Sequence, residues 1–191
     1  EIYGENISSA KLDDPSEVLN IVQKKQVDLV VIGPEGPLEL GISDVLRNEN
    51  IPVFGPSKSA AQLETSKSFA NSLMRDHRID TAESQTFDSA ERAINYVRAL
   101  NGPCVIKADG LAAGKGVTVC DTIDEAIYAI NESLTALRFG SAGSQVVVEE
   151  RMYGWETSAH AFTDGITVRH MPFSCDHKPV FDGNKGPNTG G

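Results

Sequence analysis

The sequence predicts an α/β chain that changes character about a third of the way along: a partial doubly wound α/β domain over residues 1–66, then an α+β unit over residues 67–191. Three observations carry this. Helical and strand-like segments alternate up to Phe54. The two strand-like runs are short, apolar and closed by Gly33–Pro34 and Gly55–Pro56, as buried parallel strands are. Beyond residue 80, helices with acidic caps alternate with strand–turn–strand patterns instead.

In the first part, Asp14–Pro15 starts a helix whose Val18, Leu19 and Val22 form a stripe at helical spacing. Val27–Ile32 reads as a buried strand, and a second helix from about Pro37 carries Leu38, Ile42, Val45 and Leu46 on one face. Ile51–Phe54 reads as the next strand, and residues 57–76 as one helix with Leu63, Ala70 and Leu73 inward. In the second part, Asp88 and Glu91 form a capping-box pattern ahead of Ile94, Val97 and Leu100. Strands are expected at Cys104–Lys107, Val117–Cys120 and Gln145–Glu150, with a helix started by Thr122 and Glu125. Thr157–Thr163 and Ile166–Met171 read as a hairpin turning at Asp164–Gly165.

The formal charge of −10 argues against nucleic acid or an anionic membrane as a partner. No run approaches the ~18 apolar residues of a membrane span, and no signal peptide is visible. The three cysteines, Cys104, Cys120 and Cys175, are widely spaced and odd in number, and Cys104 and Cys120 lie in apolar runs, which fits small buried residues in a reducing, cytoplasmic compartment. The chain opens on Glu1 and closes on Gly190–Gly191, so the expectation is an incomplete piece of a longer protein.

The richest stretch is Val105-Ile-Lys-Ala-Asp-Gly-Leu-Ala-Ala-Gly-Lys-Gly-Val117, where a strand ends on Lys107 and a small-residue loop carries Lys115 between Gly114 and Gly116. Glycines let backbone N–H groups approach an anion, and a lysine adds a point charge for a phosphate. This is not a Walker A loop, because Gly116 stands where Ser or Thr is required and a strand follows. The bland alternative is a β-turn with solvated lysines. Val146-Val-Val-Glu-Glu150 then ends an apolar strand in two carboxylates that must face opposite sides. Glu149 or Glu150 can accept from a base or ribose, and Glu156 follows closely; an exposed strand end is the competing reading. Asp176-His-Lys178 and Gly186-Pro-Asn-Thr-Gly-Gly191 complete the set, each weak alone.

Together these residues resemble the glycinamide ribonucleotide synthetase (phosphoribosylamine–glycine ligase) family of the ATP-grasp superfamily. The likeness rests on Gly33-Pro-Glu-Gly-Pro37, Val53-Phe-Gly-Pro-Ser-Lys58, Gln62-Leu-Glu-Thr-Ser-Lys-Ser-Phe-Ala70, Lys107-Ala-Asp-Gly-Leu-Ala-Ala-Gly-Lys-Gly116, Asp176-His-Lys178 and Gly186-Pro-Asn-Thr-Gly-Gly191, in the family's order. It implies that residues 67–191 are a truncated ATP-grasp unit, with 84–153 as a small lid over the nucleotide. It also implies a reaction of purine synthesis: ATP phosphorylates glycine, and 5-phosphoribosylamine attacks the glycyl phosphate. Such chemistry needs cations to offset charge on the transferring phosphoryl.

By the resemblance, Lys67 and Lys107 contact the α- and β-phosphates, and the loop of Gly114, Lys115 and Gly116 covers them, with Lys107 and Lys115 catalytic. Glu149 and the backbone near Met152 would hold adenine, Glu156 the ribose, and Glu35, Asp176, Lys178 and Asn188 would face phosphoribosylamine. Mg²⁺ (or Mn²⁺) is implied, with its ligands expected downstream of Gly191, so this piece alone would be inactive. Fusion to other purine-pathway domains is compatible with the resemblance. The chain departs from the family at Pro179, where Arg is usual, at Cys175, where Gln is common, and at Trp155, where an acid is common. Another ATP-grasp ligase and a diverged nucleotide-binding protein without ligase activity stay open. A dinucleotide-binding module lacks the G-x-G-x-x-G it would need.

Overall fold

A computed structural model describes residues 4–5, 7–8, 10–112, 114–177, 179–183 and 185–188; of Pro179, Pro187 and Asn188 it describes the backbone. The chain divides into two compact units, Glu1–Arg151 and Met152–Gly191.

The first unit opens with helix α1 (Pro15–Lys25), whose N-cap Asp14 accepts from the backbone N–H groups of Ser16 and Glu17. Strand β1 (Val30–Val31) pairs in parallel with β2 (Val53–Phe54). Between them lie α2 (Glu35–Leu40) and α3 (Ile42–Asn48). The expected single helix from Pro37 is therefore two, because Gly41 takes φ 84° and turns the chain between them. The strands are also shorter and less buried than the apolar runs suggested. Val22, Ile42 and Leu46 with Val18, Leu19, Val30, Ile32, Ile51 and Val53 form one small core. Leu29, Val31 and Phe54, on the other side of the pleat, stay exposed.

Helices α4 (Lys58–Thr65) and α5 (Lys67–Asp76) replace the single helix expected over residues 57–76. Ser66 separates them at φ −136° and ψ 110°, an extended conformation, and its hydroxyl accepts from Phe69 N–H as the N-cap of α5. Strand β3 (Ser84–Phe87) follows, then α6 (Ala90–Leu100), β4 (Cys104–Ala108), β5 (Val117–Cys120), α7 (Ile123–Ile130) and β6 (Val146–Glu150). Asp88 is not the cap of α6. Ser89 takes that place, accepting from Arg92 N–H, while the Asp88 carboxylate meets the Arg92 guanidinium at 2.5 Å one turn on. Thr122 and Glu125 do form the reciprocal capping box that starts α7.

The four strands make an antiparallel sheet in the order β3-β6-β4-β5. One face turns Phe87, Cys104, Ile106, Cys120, Val146 and Val148 onto Ala93 and Val97 of α6 and Ala126, Ala129 and Ile130 of α7, forming the main core. The opposite face is left for other uses.

The second unit contains the expected hairpin in shorter form. Strands β7 (Ala161–Thr163) and β8 (Val168–His170) pair antiparallel across a turn in which Asp164 accepts from Ile166 and Thr167 N–H. Strands β9 (Pro179–Phe181) and β10 (Lys185–Asn188) form a second antiparallel pair. Among the described residues, no helix is long and apolar enough to cross a membrane.

Candidate active site

The free face of the four-stranded sheet follows from the register. Lys107 stands opposite Val117 and Val147, and Val105 opposite Val119 and Glu149. Alternation therefore puts Lys107, Glu149, Val105, Val117, Val119 and Val147 together, away from α6 and α7. Lys107 and Glu149 are diagonal neighbours on adjacent strands, a separation a long side chain spans. Their ammonium and carboxylate form an ion pair, with side chains 27% and 11% exposed. Asn71 of α5 is buried against it, donating from Nδ2 to Glu149 Oε1 at 3.4 Å and to Ser84 Oγ at 3.0 Å. Glu150 faces elsewhere and accepts from Glu83 N–H at 3.3 Å. The two carboxylates part as strand alternation requires.

Lys67 is the first residue of α5, one turn before Asn71 and on the same helix face. Its Nζ donates to the carbonyls of Asp109 (3.3 Å) and Gly110 (3.2 Å). Burial pulls its pKa below the ordinary lysine value, Lys107 adds to that pull, and the Asp109, Glu64 and Glu149 carboxylates oppose it without reversing it. A half-buried cation thus stands in the field of a second one. Such a pair is costly unless an anion or fixed dipoles compensate it.

The loop between β4 and β5 is tight at its base and open at its tip. Ala108 N–H donates to Gly116 O at 2.7 Å, and a Cβ on Gly116 would fall 2.7 Å from Ala112 Cβ and 3.1 Å from Ala108 Cβ. Gly114 takes φ 73° with nothing within 4 Å of a Cβ, and Lys115 beside it is exposed. Glu35 begins α2 and is exposed. Met152 and Glu156 belong to the second unit, both exposed, and Glu156 O accepts from the Cys175 thiol at 3.4 Å. Asp176 is half-buried in the same unit. Lys178 and the Asn188 side chain lie outside the described residues.

Two residues escaped the sequence reading. Asn71 is a polar residue one helical turn from Lys67, and that spacing was its only signal. Asp109 sits inside the glycine-loop motif yet serves another element, accepting from Ser68 N–H at 2.6 Å.

Solved structures share this architecture. The biotin carboxylase–β,γ-ATP complex from Campylobacter jejuni superimposes with a TM-score of 0.71 at 20% identity, over 87% of this chain and 39% of that one. The D-alanine–D-alanine ligase from Bacillus anthracis complexed with ATP gives 0.64 at 18%, over 84% and 50%. At those identities the likeness is one of fold alone.

Residues 65–191 match the family model "Phosphoribosylglycinamide synthetase, ATP-grasp (A) domain", and residues 3–64 match its N domain. The chain belongs to the phosphoribosylglycinamide synthetase family. A phosphoribosylamine–glycine ligase structure from Thermotoga maritima superimposes with a TM-score of 0.72 at 35% identity, over 85% of this chain and 39% of that one. Curated relatives named phosphoribosylamine–glycine ligase include one from Mesorhizobium japonicum, 50% identical over 98% of this chain and 44% of its own length. Another, from Leptospira interrogans, is 47% identical over 93% and 42%. The chain spans under half the length of these relatives.

Proposed function

We propose that residues 1–191 form part of a cytoplasmic phosphoribosylamine–glycine ligase, which phosphorylates the glycine carboxylate with ATP and joins the glycyl group to 5-phosphoribosylamine. The single observation that carries the reading is the Lys107–Glu149 pair on the sheet face turned away from α6 and α7, with Lys67 in its field. A nucleotide suits such a face. Val105, Val117 and Val119 offer apolar surface for a base, Glu149 can accept from an exocyclic amine, and the two lysines match phosphate charge. Lys115, between Gly114 and Gly116 on the open loop, would cover the phosphates. By the family resemblance alone, the Met152 backbone is assigned to adenine and Glu156 to the ribose. Glu35, Asp176, Lys178 and Asn188 are assigned to the phosphoribosylamine side.

The division proposed is an N-terminal α/β domain over 1–66 and an ATP-grasp unit over 67–191, with 84–153 as the lid. Among the described residues, no group of three His, Cys, Asp or Glu could hold a metal ion. By the family resemblance alone, the Mg²⁺ or Mn²⁺ of the complete enzyme is assigned to ligands outside residues 1–191. Residues 1–191 alone are expected to be inactive. The lysines' part in the reaction is electrostatic: they hold the phosphates and offset the charge that grows as the phosphoryl moves.

The test uses the full-length enzyme containing residues 1–191. Glycine- and phosphoribosylamine-dependent ADP release is expected from the unmodified enzyme. Lys107→Met is expected to lower turnover by at least ~10²-fold, the scale for losing one transition-state stabiliser. A near-normal rate with Met at 107 would overturn the site.

A further inference from the structure

Lys67 and Lys107 reach one place from different elements, the first from the start of α5 and the second from β4. Something must set their spacing, and one residue touches both sides. Asp109 follows Lys107 by two positions in the chain. Its Oδ1 accepts from the backbone N–H of Ser68 at 2.6 Å, and its two carboxylate oxygens lie 3.5 and 3.2 Å from Ser66 Oγ, the N-cap hydroxyl of α5. Its main-chain carbonyl accepts from Lys67 N–H at 3.2 Å and from Lys67 Nζ at 3.3 Å. Side chain and backbone of a single residue thus bind the first two residues of the helix and its cap. A carboxylate at a helix N-terminus is also favoured by the unpaired N–H groups there.

We infer that Asp109 is a positioning residue, which docks the start of α5 onto the end of β4 and so sets Lys67 beside Lys107 for the phosphates; the inference rests on the nucleotide site proposed above. The carboxylate has a second effect that a neutral cap lacks. It lies near the Lys67 ammonium and helps to keep it charged against burial.

The two effects separate in an experiment on the full-length enzyme, with kcat and KM for ATP and for glycine measured for Asp109→Ala and Asp109→Asn. With Ala, KM for ATP is expected to rise about tenfold, the scale of one charge-assisted hydrogen bond, with KM for glycine unchanged. With Asn, whose amide oxygen can still accept from Ser68 N–H, the rise at neutral pH is expected to be smaller. The pH profile of kcat/KM for ATP reports the free enzyme. The groups acting on Lys67 are Asp109, Glu64 and Glu149, which favour its charge, and Lys107, which opposes it. Removing the Asp109 charge lowers the Lys67 pKa further, so in both variants the alkaline limit is expected to move to lower pH.

A merely structural role would give a lower melting temperature, an Asn variant like the unmodified enzyme and an unmoved alkaline limit. That result overturns the inference. If Asp109→Ala does not fold, the Asn variant's alkaline limit decides alone. Lys107→Met serves as control. If it leaves ATP use intact, the nucleotide site is misassigned; if it abolishes ATP use while the Asp109 variants behave normally, only the inference fails.

Discussion

Cys104 and Cys120 stand opposite each other across β4 and β5, both buried in the main core and both free thiols. Burial raises the pKa of Cys104 and pushes that of Cys120 up to about 11, with Cys104 and Glu125 adding to the latter. The sign of the consequence is fixed. Below the ordinary thiol value of 9.0 both folded and unfolded chains keep the proton, and stability is untouched. Between that value and about 11 the unfolded chain gives the proton up while the folded chain holds it, so stability falls as pH rises. The slope is about 1.4 kcal/mol per pH unit for each thiol inside its own window. Urea midpoints taken from pH 8 to 10.5 should fall less steeply for Cys120→Val than for the unmodified chain. Parallel curves would mean that Cys120 ionises alike in both states.

At the scale of elements, the helices and strands with strong apolar periodicity were legible: α1, α6, α7, β4, β5 and β6 lie where the residue pattern put them. What escaped depended on single backbone angles or on partners far along the chain. Strand β3 is Ser-Gln-Thr-Phe, with little apolar alternation, and exists because β6 pairs with it from Ser84↔Glu149 to Phe87↔Val146. The break at Ser66 hides within a helical pattern, since Gln62, Leu63, Ala70 and Leu73 are all acceptable in helix. It is made by the Ser66 hydroxyl, which caps α5 and reaches Asp109. The site was legible to the same degree. Lys107 and Glu149 sit on strands whose alternation can be read, whereas the contacts of Lys67 needed the bend. Ser66→Ala is therefore expected to destabilise the fold by about 1 kcal/mol, the usual weight of an N-cap. A shift in the urea midpoint with an unchanged slope would register it. An unchanged midpoint would show that the bend does not need its hydroxyl.

On the scale of the whole molecule, the two units differ in how they can be stable. Glu1–Arg151 encloses two cores, the larger built from both β-strands and helices. Met152–Gly191 contains no buried residue among those described, and it exposes Trp155 (99%), Ile166 (95%) and Phe173 (77%). A 40-residue unit of two hairpin-like pairs cannot bury enough apolar area to offset the entropy of ordering its chain. Its free energy of opening should lie near the low end, well below that of the larger unit. Brief digestion of residues 1–191 with chymotrypsin, which favours the exposed Tyr153, Trp155, Phe162, Phe173 and Phe181, should cut first beyond Arg151. It should leave a resistant product of residues 1 to about 153 that keeps a cooperative melting transition, since neither core draws on residues after Val148. First cuts within residues 84–150 would show instead that the four-stranded sheet, and with it the Lys107–Glu149 face, is the weaker part of the molecule.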